Sequence, residues 1–230
     1  TTTPRGLPAP PRIAAPSRAP RTPGGLPGGA GLETEPRALP RLPGTGREVA
    51  TVARLAGEQV QVLATGLQAT RAAVLRVPPA QVDVLHLATH AIIDPQVPEL
   101  AALVLSRVDA SGAPQAGSLR GRDILRTAAV PPLVVLSACD AAAEPAATAD
   151  GRMSLVRAFL GAGAHAVIAS LWEVPDASTS ELMAAFYEAL LRERLDPEAA
   201  LVRAQSRLAA GGRWRAPYYW SGLVLTRAAP

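Results

Sequence analysis

Two apolar runs in the sequence each end on a side chain able to take part in nucleophilic chemistry. Val82-Asp83-Val84-Leu85-His86-Leu87-Ala88-Thr89-His90 ends on an imidazole, and Leu133-Val134-Val135-Leu136-Ser137-Ala138-Cys139 ends on the only cysteine. A free thiol has a pKa of ~8.5; a nearby imidazole that favours the thiolate, and later protonates a leaving amine, makes it a competent nucleophile. If both runs are buried parallel strands, His90 and Cys139 emerge together at their carboxyl ends, where open α/β sheets hold their active sites.

A lone cysteine is more often a small buried hydrophobe than a nucleophile. Here it ends its run and is followed by Asp140 and small residues that leave room for a substrate. His90 precedes it by about 50 positions, the separation known for caspase nucleophiles. The pair is therefore read as a catalytic dyad. The spacing His86-x-x-x-His90 is also that of a zinc peptidase, but that chemistry needs a helix and a glutamate after the first histidine. Leu87 stands there in a strand-like segment, so no metal site is expected, and His86 is expected to be buried and hydrogen-bonded locally.

Gly161-Ala162-Gly163-Ala164-His165 imitates a dinucleotide-binding fingerprint in the wrong order, after a helix and before a strand. The glycines are expected to end the helix, His165 to be a loop-end residue, and no cofactor is expected. Trp214, Tyr218, Tyr219 and Trp220 read as core aromatics near strand ends. Trp172, at the end of the strand that follows Cys139, is a candidate for the border of a substrate cleft.

The elements that must position these groups are legible as alternating patterns. Helical spacing covers 46–57, 68–77, 120–127, 153–160, 176–192 and 196–210, with Leu182, Phe186 and Leu190 on one stripe. Strand-like runs cover 60–65, 82–89, 101–106, 133–138, 166–172 and 223–225, punctuated by Pro78-Pro79, Ser111-Gly112 and Pro131-Pro132. Loops are expected at 94–99 and 140–150. Strands alternating with helices predict an α/β fold, a mainly parallel sheet with helices on both faces.

Composition bounds the rest. The chain has 230 residues, 48% of them hydrophobic and 3% aromatic, and a formal net charge of +4 carried wholly by arginine. Residues 1–38 are rich in Pro, Gly and Arg and are expected to be a disordered leader or linker ahead of a domain spanning 39–230. One cysteine excludes an internal disulfide framework and suits a reduced, cytoplasmic setting. No apolar stretch is long enough for a membrane span, so no membrane partner is expected. Scattered arginines with few aromatics argue against nucleic acid. The absence of an initial Met suggests a fragment of something longer.

A series of motifs spread over 39–226 resembles the CHAT family of caspase-like peptidase domains, which are related to separase and often attached to TPR or WD repeats. It comprises Leu42-Pro43-Gly44-Thr45-Gly46-Arg47-Glu48, Leu85-His86-Leu87-Ala88-Thr89-His90, Leu136-Ser137-Ala138-Cys139, Phe159-Leu160-Gly161-Ala162-Gly163-Ala164, Ser170-Leu171-Trp172-Glu173-Val174-Pro175-Asp176 and Pro217-Tyr218-Tyr219-Trp220. The resemblance implies a caspase-like fold and a cysteine endopeptidase in which His90 is the catalytic histidine and Cys139 the nucleophile. Backbone N–H groups of Ala91 and Cys139 would form the oxyanion hole. It further implies a protein or peptide substrate and a repeat-domain partner or fusion.

By similarity to separase, Asp176 would bind a basic P1 side chain, with Glu173 as second candidate; capping of the following helix is the other reading of Asp176. The sequence departs from the family at Ala91, where Gly is usual, at Asp140-Ala141-Ala142, and in lacking a recognisable amino-terminal half ahead of residue 39. The competing reading is a catalytically degenerate caspase-like interaction module.

Overall fold

The computed structural model describes residues 12–17, 39, 42–93, 100–138 and 154–228. In chain order the elements are β1 (Ile13–Ser17), α1 (Pro43–Ala56), β2 (Val60–Thr65), α2 (Arg71–Leu75), β3 (Val84–Ala88), β4 (His90–Ile92), β5 (Ala102–Val104), β6 (Ser118–Arg120), α3 (Gly121–Leu125), β7 (Leu133–Ser137), α4 (Leu155–Gly161), β8 (Ala166–Ser170), α5 (Asp176–Leu191), α6 (Pro197–Ala210) and β9 (Leu223–Arg227). Six strands form one sheet in the order β2-β1-β3-β7-β8-β9, parallel except where β9 runs against β8. β4, β5 and β6 form a separate antiparallel sheet.

Every residue of β3, β7 and β8 is buried, which is why their sequences read as continuous apolar runs rather than alternating ones. Successive side chains serve opposite faces. Val84, Ala88, Val135 and Ile168 pack with α1, α5 and α6, through residues such as Val52, Phe186 and Leu201. Leu85, Leu87, Val134, Leu136 and Val167 pack with Phe159 of α4, Ile124 of α3, and Leu103 and Leu119 of the small sheet. The expected α/β layering, with helices on both faces of a mainly parallel sheet, is the one observed.

Local signals account for several boundaries. Pro197 opens α6 while the Asp196 carboxylate accepts from the N–H groups of Glu198 and Ala199, at 3.0 and 3.1 Å. After α4 the chain turns through Gly163 at φ +102°, a conformation that disfavours any side chain. The exposed His165 sits at the loop end before β8, its N–H donating to the Pro132 carbonyl at 2.8 Å.

Two departures from expectation matter. Of residues 68–77, read as one helix, only Arg71–Leu75 are α-helical, the short α2, after a 3-10 turn at Gly66–Gln68. Residues 13–17, assigned to the leader by composition, form β1 inside the sheet, with β2 on one side and β3 on the other. Pro16 hides this strand, because a proline lacks the N–H that a ladder needs and argues against an interior position. The loops expected at 94–99 and 140–150 lie outside the described residues.

Arg12 docks the start of β1 on β3. Its carbonyl accepts from the N–H groups of Asp83 and Val84, both at 2.8 Å. In return the Asp83 carboxylate accepts from the Arg12 backbone N–H at 2.8 Å, from Nε at 3.2 Å and from Nη2 at 3.3 Å. These side-chain hydrogen bonds from Arg12 hold the Asp83 carboxyl below its ordinary range. The pair is part-exposed, so Asp83→Asn is expected to cost only about 1 kcal/mol at neutral pH. Because the folded pKa is the lower one, this contribution is present above the unfolded value of ~3.9 and is lost as pH falls through the folded value. Urea unfolding of both chains between pH 7 and pH 2 should show the gap closing at the acid end.

Candidate active site

The carboxyl ends of β3 and β7 lie side by side. Ala88 is opposite Ser137, and the Thr89 N–H donates to the Ser137 carbonyl at 3.2 Å. The chain leaves the large sheet at Thr89, whose hydroxyl donates to the Val104 carbonyl of β5. His90 then opens β4, half-buried and opposite Val104, with Ala91 opposite Leu103. The imidazole is thus carried by the small sheet, one residue beyond the switch from β3. On the neighbouring strand, Ala138 is buried directly after β7. Cys139, and with it Asp140-Ala141-Ala142, lies outside the described residues.

A cleft of about 170 Å³ opens along this rim, over the ends of β3, β7 and β8 and beside the start of α1. Thr45, Thr89, Ser137, Ser170, Glu173, Asp176 and Thr179 are its polar lining, with Leu42, Leu136, Val174 and Leu223 among the apolar residues. Small-molecule sites run to ~300–1,000 Å³, so this cleft suits one side chain of a larger ligand better than a whole ligand.

Asp176 has a structural partner that local sequence does not suggest. Helix α1 starts with Leu42 at the N-cap, which has no capping side chain, and Pro43, which has no N–H. The Asp176 carboxylate takes the vacant role from α5, accepting from the Gly44 N–H and, at 3.5 Å, from the Thr45 hydroxyl. Capping of its own helix is not seen: the α5 N-cap is Pro175, with no side-chain hydrogen bond, and Asp176 lies in the first turn. The amino termini of two helices therefore converge on one carboxylate, an arrangement worth ~0.3–1 kcal/mol for each helix end. A Cβ on Gly44 would lie 2.5 Å from that carboxylate, so only glycine permits the approach.

Glu173 is exposed on the cleft rim, and among the described residues no cation pairs with it. Trp172 is not among the cleft-lining residues; its indole N–H donates to the Tyr218 carbonyl at 3.0 Å. Of the aromatics 214–220, expected in the core, Trp214 and Trp220 pack partly buried against it, Tyr218 is exposed, and Trp214 and Tyr219 meet at a tilt with ring centroids 5.0 Å apart.

The CHAT domain profile matches residues 3–228. The chain belongs to the CHAT domain family. Tetratricopeptide repeat protein 28 of Homo sapiens is 42% identical over 78 residues, 34% of this chain and 3% of that protein. Its Mus musculus counterpart is 40% identical over 93 residues, 40% of this chain and 4% of that protein. The chain thus spans only a few per cent of the curated relatives' length. Among solved structures, the Arg specific cysteine proteinase gingipain R superposes with a TM-score of 0.54 at 9% identity, covering 94% of this chain and 45% of that one. The likeness shows a shared caspase-like fold.

Within the CHAT domain, His86 is fully buried under the rim and both ring nitrogens face protein groups. Nδ1 is 3.0 Å from the Tyr187 hydroxyl of α5, and Nε2 is 2.8 Å from Glu48 Oε1 of α1. The latter is an ion-pair distance without hydrogen-bond alignment, since neither atom meets the angular requirement for one. Burial, and then the Glu48 charge, push the Tyr187 phenol well above its ordinary pKa. Tyr187 therefore stays protonated, and the set is consistent when its O–H donates to Nδ1 and the Nε2 proton faces the carboxylate.

The order hydroxyl, imidazole, carboxylate is that of a catalytic triad, yet all three residues are at most 1% exposed and no substrate reaches them. His86 is thus buried as expected, but its partners come from distant helices. The missed signal was Glu48 itself, which shares the buried stripe of α1 with Thr45, Val49 and Val52.

Removing the Glu48 carboxylate leaves the buried Nε2–H of His86 facing no acceptor, so Glu48→Ala is expected to cost ~1–3 kcal/mol. Tyr187→Phe, which removes one buried hydrogen bond, should cost ~1–3 kcal/mol. Denaturant unfolding measures both; a loss below 1 kcal/mol for Glu48→Ala would show that the contact carries no stability.

Proposed function

We propose that this CHAT domain is a cysteine endopeptidase acting through a His90–Cys139 dyad. The observation that supports it most is the side-by-side exit of β3 and β7 onto a rim with a side-chain-sized cleft. Both candidate residues follow those exits in the sequence, and acidic groups line the cleft. The caspase-like fold shared with an Arg specific cysteine proteinase supports the same chemistry.

In this reading the Cys139 thiolate attacks a peptide carbonyl, forming a C–S bond and an oxyanion held by the backbone N–H groups of Cys139 and Ala91. One such donor is typically worth ~2.7–4 kcal/mol. The His90 imidazolium then gives its proton to the leaving amine as the C–N bond breaks, leaving a thioester. Water, deprotonated by His90, attacks the thioester; the acid is released and the thiol restored. The cleft takes the P1 side chain, and the carboxylates of Glu173 and Asp176 favour a basic one. Asp176, already engaged by α1, has less capacity left for this than Glu173. Likeness to tetratricopeptide repeat proteins suggests that the domain works fused to, or beside, a repeat array.

A thiol-reactive peptide probe tests the dyad. Labelling of Cys139 should be faster than that of free cysteine by more than tenfold, fall on His90→Ala, and vanish on Cys139→Ala. A rate equal to that of free cysteine would favour the non-catalytic interaction module, for which the departures at Ala91 and Asp140-Ala141-Ala142 already speak. Peptide-library cleavage should show Arg or Lys at P1, with the preference weakened more by Glu173→Gln than by Asp176→Asn; a flat P1 profile would discard the acidic pocket.

A further inference from the structure

The cleft rim after β8 is tied down by a segment far along the chain. Residues 217–222 run from the 3-10 turn Pro217–Tyr219 into β9, and α6 holds them through Gln205 Nε2, which donates to the carbonyls of Trp220 and Leu223 at 3.2 and 2.8 Å. This segment grips residues 171–173 at three successive positions. The Leu171 N–H donates to the Gly222 carbonyl at 2.9 Å. The Trp172 indole N–H donates to the Tyr218 carbonyl at 3.0 Å, and the Tyr218 hydroxyl donates back to the Glu173 carbonyl at 2.7 Å. The Ser170 hydroxyl also donates to the Trp172 carbonyl. Gly222 has no side chain because a Cβ there would lie 2.7 Å from the Trp172 ring.

We infer that Tyr218 is a positioning residue for substrate selection: by fixing the Glu173 backbone, it holds that carboxylate on the cleft rim, where it meets a cationic side chain. Glu173 needs such a hold. It is exposed, lies in a connection between β8 and α5, and among the described residues has no cation to orient it, whereas Asp176 is already held by α1. A mobile carboxylate pays conformational entropy each time it engages a ligand, and tethering its backbone reduces that cost. The same clasp gives a role to Trp172 and to the aromatic segment that follows α6, neither of which the acyl-transfer chemistry uses. The inference rests on the cleft taking a basic side chain.

The test uses product-like peptides with a free carboxyl terminus, ending in arginine or in its neutral isostere citrulline, bound to the full chain and followed by fluorescence polarisation. The wild-type chain should prefer arginine. Tyr218→Phe should weaken the arginine peptide about three- to tenfold, the range expected for one hydrogen bond, and the citrulline peptide less than twofold. Glu173→Gln should abolish the preference, and the double variant should bind no more weakly than Glu173→Gln alone.

Equal losses for both peptides, or losses that add in the double variant, would overturn the positioning role. A wild-type chain that fails to distinguish the two peptides would instead overturn the basic-cleft reading, and this inference with it. Thermal unfolding checks that Tyr218→Phe is folded; Trp172→Phe, which removes the indole donor to the Tyr218 carbonyl, must reproduce the selective loss.

Discussion

A single carboxylate closes the amino terminus of a helix that cannot close itself. Helix α1 begins on Leu42-Pro43, and the Asp176 side chain supplies its missing acceptor from the start of α5, 132 positions later in the chain. This contact fixes the two helices against one another at the point where both meet the cleft. Without it the Gly44 N–H at the start of α1 would lose its acceptor, and the wall formed by Leu42 and Thr45 would lose one of its fixings. The side chain that the sequence offers as a substrate contact is also part of the scaffold.

One turn further along α1, Glu48 reaches His86 in the middle of β3, and Tyr187 reaches the same ring from α5. The apolar layer on this side of the sheet would be satisfied by many packings of Val, Leu and Ala. A buried imidazole with one hydrogen-bond partner and a carboxylate 2.8 Å from its other nitrogen is satisfied by far fewer, so the cluster selects one seating of α1 and α5 over β3. Position then propagates by register: Ala88 beside Ser137 brings the exits of β3 and β7 to the same level. The small sheet takes over at Thr89 and carries His90 away from the layer that buries His86.

Much of this architecture was legible because continuous Val/Ile/Leu runs bounded by proline or glycine mark buried parallel strands. β3, β7 and β8 lie where such runs predict them, the less buried β2 and β9 lie on the shorter strand-like runs, and α5 and α6 follow their apolar stripes. What was not legible depends on distant partners or on segments too short to have a period. β4 and β6 have only three residues each, too few for alternation to register. The partner of Asp176 is α1, which no local rule for helix caps could reveal. Tyr218 looks like a core aromatic by residue type, but it is half exposed and its hydroxyl engages a backbone carbonyl. His90 was identified correctly as a residue near a strand exit, but not as the first residue of a second sheet.

The insertion of β1 between β2 and β3 bears on how this fold is assembled. β1 is made before both of its neighbours, β2 and β3, and a parallel strand gains nothing until a partner has crossed over to it. Until then its backbone groups have only water or a foreign strand to bond with, which makes the nascent chain a candidate for chaperone capture. A boundary drawn on composition at residue 39 would delete an interior strand and leave β2 separated from β3 by an empty lane, so residues 12–17 belong to the folding unit.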